Sequence, residues 1–108
     1  MELERNQFME IANRALVHIE DKLANLEHED LDIHMSGDVL SIDFADGGRF
    51  VVNSHSAAGQ IWLAAGTDAW HFDYRPEQSQ WIAAKNGNEL FKTVERVVGE
   101  KLKLEIRL

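Results

Sequence analysis

Asp30-Leu31-Asp32-Ile33-His34-Met35-Ser36-Gly37-Asp38-Val39-Leu40-Ser41-Ile42-Asp43-Phe44-Ala45-Asp46-Gly47-Gly48 reads in steps of two. Leu31, Ile33 and Met35 alternate with Asp30, Asp32 and His34. Leu40, Ile42 and Phe44 then alternate with Val39, Ser41 and Asp43. Successive side chains of a strand point to opposite faces, so this pattern predicts two strands with one apolar face each. Ser36-Gly37-Asp38 between them and Asp46-Gly47-Gly48 after them supply turn residues, glycine accepting positive φ without steric cost. Moving outward, further strands are expected at Arg49–Asn53, Gln60–Ala64, Ala69–Tyr74 and Gln80–Ala83. The single proline, Pro76, falls in the turn-like Arg75-Pro76-Glu77. Alternation with short connections predicts an antiparallel sheet covered on one face.

The flanks change period. Phe8, Ile11, Ala12, Ala15, Leu16, Ile19, Leu23 and Leu26 recur at three- and four-residue steps and predict a helix with one apolar stripe. Glu20 and Glu27 fall beside that stripe, and Asp21 and His28 near its opposite side. Acids at a helix C-terminal end are disfavoured by the helix dipole, by about 0.3–1 kcal/mol each where exposed, so local stability does not account for them. A second helix is expected to start at Asn88 as its cap, to bury Leu90, Phe91, Val94, Val97 and Val98, and to stop at Gly99. The tail, in which Leu102, Leu104, Ile106 and Leu108 alternate with Lys101, Lys103, Glu105 and Arg107, fits an edge strand or an extended segment packed between the helices. A helix, five or six strands and a helix give an α+β two-layer sandwich: one domain over residues 1–108, its antiparallel sheet covered on one face by the N- and C-terminal helices.

The chain has 108 residues, 44% hydrophobic and 28% charged, a globular composition long enough for one core. It contains no cysteine, which removes disulfides, thiolate metal sites and a thiol nucleophile. No apolar run is long enough to cross a bilayer, and Met1-Glu2-Leu3-Glu4-Arg5 lacks the apolar core of a secretion signal. A cytoplasmic setting without membrane contact is the expectation. A net charge of −8 argues against nucleic acid, whose binders present a basic surface. Residues 19–46 hold nine acids against the single base Lys22, while the rest of the chain has ten acids and ten bases. That segment therefore carries the whole excess.

Within it, Glu27, Glu29, Asp30 and Asp32 run from the helix end into the first strand, and Asp43 is expected to face them from the next. Carboxylate oxygens suit hard cations such as Ca²⁺, Mg²⁺, Mn²⁺ or iron, with His28 and His34 as possible nitrogen donors. No spacing defines a closed coordination shell, so binding there would be weak and exchangeable. Three readings stand side by side: a solvated acidic face, a cation site, and a docking strip for a basic partner. In Gln60-Ile61-Trp62-Leu63-Ala64, directing Ile61 and Leu63 to the core turns Gln60 and Trp62 outward, and an outward tryptophan is a candidate interface anchor. Trp70, Phe72 and Tyr74 share one face of the next strand, best spent on the core, which sends His71 and Asp73 outward with Trp62. His18 reads as a helix-surface residue and His55 as part of a polar loop. No nucleophile accompanies the His71/Asp73 pair, so no catalysis is expected.

Together, the element order, the acidic helix-to-strand segment, Asn53, Gln60-Ile61-Trp62-Leu63, His71-Phe72-Asp73, Trp81 and the Gly87…Leu90 helix start resemble the bacterial frataxin (CyaY) family over essentially the whole chain. The resemblance implies the frataxin-like sandwich and a non-enzymatic regulator of iron–sulfur cluster assembly, with iron delivery as a further possibility. It implies weak, exchangeable binding of ferrous or ferric iron at an acidic ridge, here Glu20, Asp21, Glu27, Glu29, Asp30 and Asp32. It further implies association with the cysteine desulfurase and the iron–sulfur scaffold protein, through sheet residues that correspond to Asn53, Gln60 and Trp62, by a protein that is a monomer without metal. The chain departs from the family at Ala24-Asn25, where relatives often continue the acidic run, and its next turn is one residue shorter. The expected iron stoichiometry is correspondingly low.

Overall fold

A computed structural model describes residues 4–108. Helix α1 spans Arg5–Ala24, six strands follow at β1 Leu31–Ser36, β2 Val39–Phe44, β3 Arg49–His55, β4 Gln60–Ala65, β5 Asp68–Arg75 and β6 Gln80–Ala83, and helix α2 spans Leu90–Leu102. The strands lie in chain order, each antiparallel to the next. This is the α+β sandwich with six strands. In the β1–β2 turn Gly37 has φ of 60°, which a Cβ would oppose.

The register aligns the apolar positions into rows. Leu40, Val52, Leu63 and Trp70 are successive cross-strand partners from β2 to β5, and Ile61, Phe72 and Ala83 from β4 to β6. All seven are buried. Phe8, Ala12, Ala15, Leu16, Ile19 and Leu23 of α1, with Leu90, Val94, Val97 and Val98 of α2, complete the core; Phe8 meets Trp81 edge-on at 5.7 Å. Leu26 lies outside the stripe and is exposed, because α1 ends at Ala24 and the chain turns away. Tyr74 is half-buried, its ring 5.0 Å from Trp81.

The second helix differs from expectation at both ends. Its cap is Glu89, whose carboxylate accepts the Phe91 and Lys92 N–H groups. Asn88 is occupied elsewhere, its carbonyl accepting the Ala83 N–H at 2.8 Å and prolonging the sheet by a bridge from Ile82 to Glu89. Gly99 lies inside the helix, which ends instead at Lys103 in the left-handed conformation. Glycine is required at 99 for approach, since a Cβ there would sit 2.9 Å from the Leu104 carbonyl oxygen. The tail beyond forms no strand. It is an extended segment along α2, with Ile106 buried and the Leu108 N–H donating to Glu95 Oε2.

Candidate functional site

The acidic residues gather where α1 passes into β1. Glu20 and Asp21 lie on the last turns of the helix, and Glu27, Glu29 and Asp30 on the connection, all but half-buried Glu20 being exposed. Glu27 adopts φ of 49°, a left-handed conformation that costs a non-glycine residue about 1–2 kcal/mol. The His28 Nδ1 accepts the Asp30 N–H at 3.1 Å, which fixes the turn and occupies that ring nitrogen. On the outer face of the sheet Asp32 is the direct partner of Asp43, and Asp43 in turn of Arg49. Two opposed carboxylates would destabilise the pair. Arg49 relieves this with an Nε to Asp43 Oδ1 contact of 2.5 Å, and Asp43 holds the Arg49 guanidinium proton more firmly than usual.

Of the nine acids in residues 19–46, only Asp43 and Asp46 form ion pairs among the described residues, with Arg49 and Lys101. Lys101 donates to Asp46 Oδ2 at 2.6 Å and the Gly48 N–H to Oδ1 at 2.8 Å, holding that carboxyl below the ordinary carboxylate range. The side chains of Glu20, Asp21, Glu27, Glu29, Asp30, Asp32 and Asp38 have neither an ion pair nor a hydrogen bond among the described residues. The strip's donors are carboxylate oxygens, the chemistry of hard cations. No three His, Asp or Glu side chains among the described residues converge to hold a metal ion. The strip thus offers charge and spare oxygen donors without a preformed shell.

The second feature lies across the outer face. Ser36, Val39, Asn53, Trp62 and His71 form one row of cross-strand partners, and Gln60 lies between His55 and Asp73 in the next. The register thereby brings Asn53, Gln60 and Trp62 together. Trp62 is half-buried on this face. Its indole is sandwiched between two imidazoles: His55 stacks at 4.2 Å and 16°, His71 at 4.3 Å and 15°. The Trp62 Nε1–H donates to Gln60 Oε1 at 2.9 Å, and Gln60 Nε2 donates to Asp73 Oδ1 at 3.0 Å. A tryptophan whose two faces and N–H are all engaged is a rigid plate that offers its ring edge to a partner. Such pre-organisation lowers the ordering cost of docking.

Sequence reasoning placed His55 in a loop. The structure makes it the last residue of β3, its Nδ1 accepting the Ala58 N–H at 3.2 Å to close the turn. With the strand continuing that far, His55, two residues beyond Asn53, shares its face. His18, read as a surface residue, is half-buried with its ring 4.8 Å from Phe91.

Comparison with known proteins completes the description. A family model described as a frataxin-like domain matches residues 1–104. The iron-sulfur cluster assembly protein CyaY of Ralstonia nicotianae is 28% identical over 98% of this chain and 95% of its own length. The protein of the same name from Herminiimonas arsenicoxydans is 32% identical over 95% and 94%. Among solved structures, frataxin from Psychromonas ingrahamii superposes with a TM-score of 0.87 at 22% identity, covering 96% of each chain. Trimeric yeast frataxin complexed with ferrous iron superposes with a TM-score of 0.74 at 25% identity, covering 95% of this chain and 89% of that one. With its helices, six-stranded sheet and family match in agreement, this chain belongs to the frataxin family.

Proposed function

We propose that the protein regulates iron–sulfur cluster assembly, meeting iron and a basic partner surface at the acidic strip and a second partner surface at the Trp62 face. The observation that carries this reading is the state of the strip. Glu20, Asp21, Glu27, Glu29, Asp30 and Asp32 stand outside every ion pair of the described residues, although the chain has 11 Lys and Arg. Unpaired carboxylates in one strip repel one another and lower stability, and one of them, Glu27, sits on a strained backbone. Strain and charge that the fold does not need point to a use outside the fold. Relatives named as iron–sulfur cluster assembly proteins and a yeast frataxin complexed with ferrous iron support the same reading.

In this reading a cation settles on one or two carboxylates, keeps most of its water and exchanges quickly, as an open oxygen-donor surface requires. The same potential steers a basic surface of the cysteine desulfurase onto the strip, setting encounter rate and register. The Trp62 plate, with Asn53 and Gln60 beside it, meets the desulfurase–scaffold complex. The protein works by binding, as a cytoplasmic monomer in the absence of metal. No helix of the described residues is long and apolar enough to cross a membrane.

A second reading, a metal-independent interaction module, is favoured by the lack of any three converging ligands among the described residues. Desulfurase binding and cluster assembly rate, measured with metal-free protein and with Fe²⁺, separate the two. Iron-dependent change in assembly rate that disappears in Glu27→Lys/Asp30→Lys supports the first reading. Full binding and full effect of metal-free protein, lost in the same variant, leave docking as the strip's role. An assembly rate that the wild-type protein does not alter under either condition contradicts both.

A further inference from the structure

Two rings fix the plane of Trp62, and one hydrogen bond fixes its direction within that plane. His55 and His71 lie 16° and 15° from the indole, but a flat ring between two flat rings can still turn in the slot. Rotation about the bond to an aromatic ring is broad and roughly two-fold, so a half-turn keeps the indole between the imidazoles with its opposite edge outward. Only a contact at the ring edge separates the two placements. That contact is the Nε1–H bond to Gln60 Oε1 at 2.9 Å.

Gln60 has to be oriented in its turn, because an amide can present either its oxygen or its NH2 group. The indole N–H only donates, and a carboxylate only accepts. Asp73 is the direct cross-strand partner of Gln60, and Gln60 Nε2 donates to its Oδ1 at 3.0 Å. An amide between an obligate donor and an obligate acceptor has one arrangement that satisfies both. The chain of bonds therefore runs one way, from Trp62 through Gln60 to Asp73, and Asp73 anchors it.

Asp73 is poorly placed to serve the fold alone. It is half-buried and makes no ion pair among the described residues, although Arg75 shares its strand face and Lys85 lines the same recess. A carboxylate that gives up hydration without gaining a cation stabilises little. Its other cross-strand neighbour, Ile82, offers no side-chain hydrogen bond. Gln60 is the single side chain it holds among the described residues.

We propose that Asp73 is the positioning residue of the docking face. Through Gln60 it selects one of the two placements of Trp62, so that every copy of the protein shows the same ring edge to the desulfurase–scaffold complex. Apparent affinity scales with the fraction of molecules in the binding-competent arrangement, so this anchor strengthens docking without touching the partner. The proposal rests on the docking reading of Asn53, Gln60 and Trp62 and adds what sets the direction of the plate.

Indole NMR signals of the free protein test it, together with calorimetric titration against cysteine desulfurase and iron–sulfur scaffold protein at high salt, where charge effects between surfaces are screened. The wild-type protein shows one Trp62 Nε1–H signal that exchanges slowly with water. Asp73→Ala adds a second placement with a faster-exchanging N–H, and affinity falls about threefold, by the same factor as the population of the first placement. Gln60→Glu sets two carboxylates directly opposite each other across β4 and β5, which scatters the placements further and lowers affinity about tenfold. Adding Asp73→Asn to Gln60→Glu reverses the chemistry of the chain: the new carboxylate accepts from the indole N–H and from the new amide. The double variant recovers the single indole signal and most of the lost affinity, a non-additivity that a side chain merely touching the partner would not show.

A double variant no better than Gln60→Glu overturns the positioning role and leaves face docking standing, and it decides the matter even where Asp73→Ala does not fold. Affinity that falls in Asp73→Ala with one indole placement kept, or a second placement that costs no affinity, overturns it in the same way. Unaltered affinity in Trp62→Ala overturns face docking and the positioning role with it.

Discussion

The acidic strip, which runs from the end of α1 through the connection to Asp32 on β1, and the Trp62 face in the middle of the sheet are built in opposite ways. Around Trp62 the side chains hold one another: indole N–H to Gln60, Gln60 to Asp73, and an imidazole on each ring face. On the strip, Glu20, Asp21, Glu27, Glu29, Asp30 and Asp32 are engaged with nothing among the described residues. A surface whose parts hold one another presents one shape, and suits a partner of fixed complementary shape. A surface whose charges are free has potential without shape. It suits ions and flexible basic side chains, which bring their own geometry.

That contrast predicts different costs of mutation. The largest effect is expected for Trp62→Ala, because central tryptophans of an interface commonly contribute about 2 kcal/mol or more to binding. Affinity for the desulfurase–scaffold complex should fall about thirtyfold, and the melting temperature should fall too, since the stack is lost. Calorimetric titration with a parallel melting curve measures both; an unaltered affinity would remove the Trp62 face from the account. Next comes Glu27→Lys with Asp30→Lys, for which desulfurase affinity should fall about tenfold, mostly in the association rate and mostly at low salt. Unlike Trp62→Ala, it should keep or raise the melting temperature. A drop in stability would show that these acids serve the fold.

How far the sequence disclosed this arrangement follows from the same contrast. Period-two alternation in residues 30–44 and the α1 stripe announced the sandwich, because burial of one face leaves a direct imprint on residue type. The outward position of Trp62, His71 and Asp73 was legible by the same parity. The stack was not: it depends on β3 continuing to His55, two residues past the expected strand end at Asn53, where polar residues carry no burial signal. The end of α2 was misread for a related reason. Glycine at 99 looks like a helix stop, yet it answers to the tail folding back within 2.9 Å, a tertiary contact that no local pattern encodes. The acidic excess was visible as composition. Its freedom from ion pairs was not, since Arg49 and Lys101 reach Asp43 and Asp46 only through the register and the packing of α2.

Smaller effects sharpen the comparison. Two carboxylates about 7 Å apart in water repel by roughly 0.6 kcal/mol, and a bound cation relieves several such pairs at once. Ca²⁺ or Fe²⁺ at ten times its dissociation constant should stabilise the fold by about 1.4 kcal/mol, several degrees in melting temperature, with less effect at high salt. The increment should persist in Trp62→Ala and vanish in Glu27→Lys/Asp30→Lys. A cation titration that leaves the wild-type melting temperature flat at low salt would count against the strip as a cation surface.

The smallest effect concerns Asp46, the acid that is committed. Lys101 and the Gly48 N–H lower its folded-state pKa, so its contribution is present above the unfolded carboxylate range and disappears as pH falls through the lower folded value. Asp46→Asn should therefore cost a little stability at neutral pH, with the deficit closing in acid. Asp30→Asn, with no partner to lose, should show no such deficit. Melting curves of both variants from neutral to acid pH decide this; equal behaviour would erase the distinction between committed and free acids.

The most direct measurement is a map of backbone and indole NMR signals as Fe²⁺ is added to the metal-free protein, followed by the desulfurase and scaffold. The account predicts broadening and shifts confined first to Glu20–Asp32 and neighbouring Asp43, with the Trp62 indole unmoved, and then movement of Asn53, Gln60 and Trp62 when the proteins arrive. Iron that settles first at His55, Trp62 and His71, or that perturbs residues scattered over the surface, would contradict it.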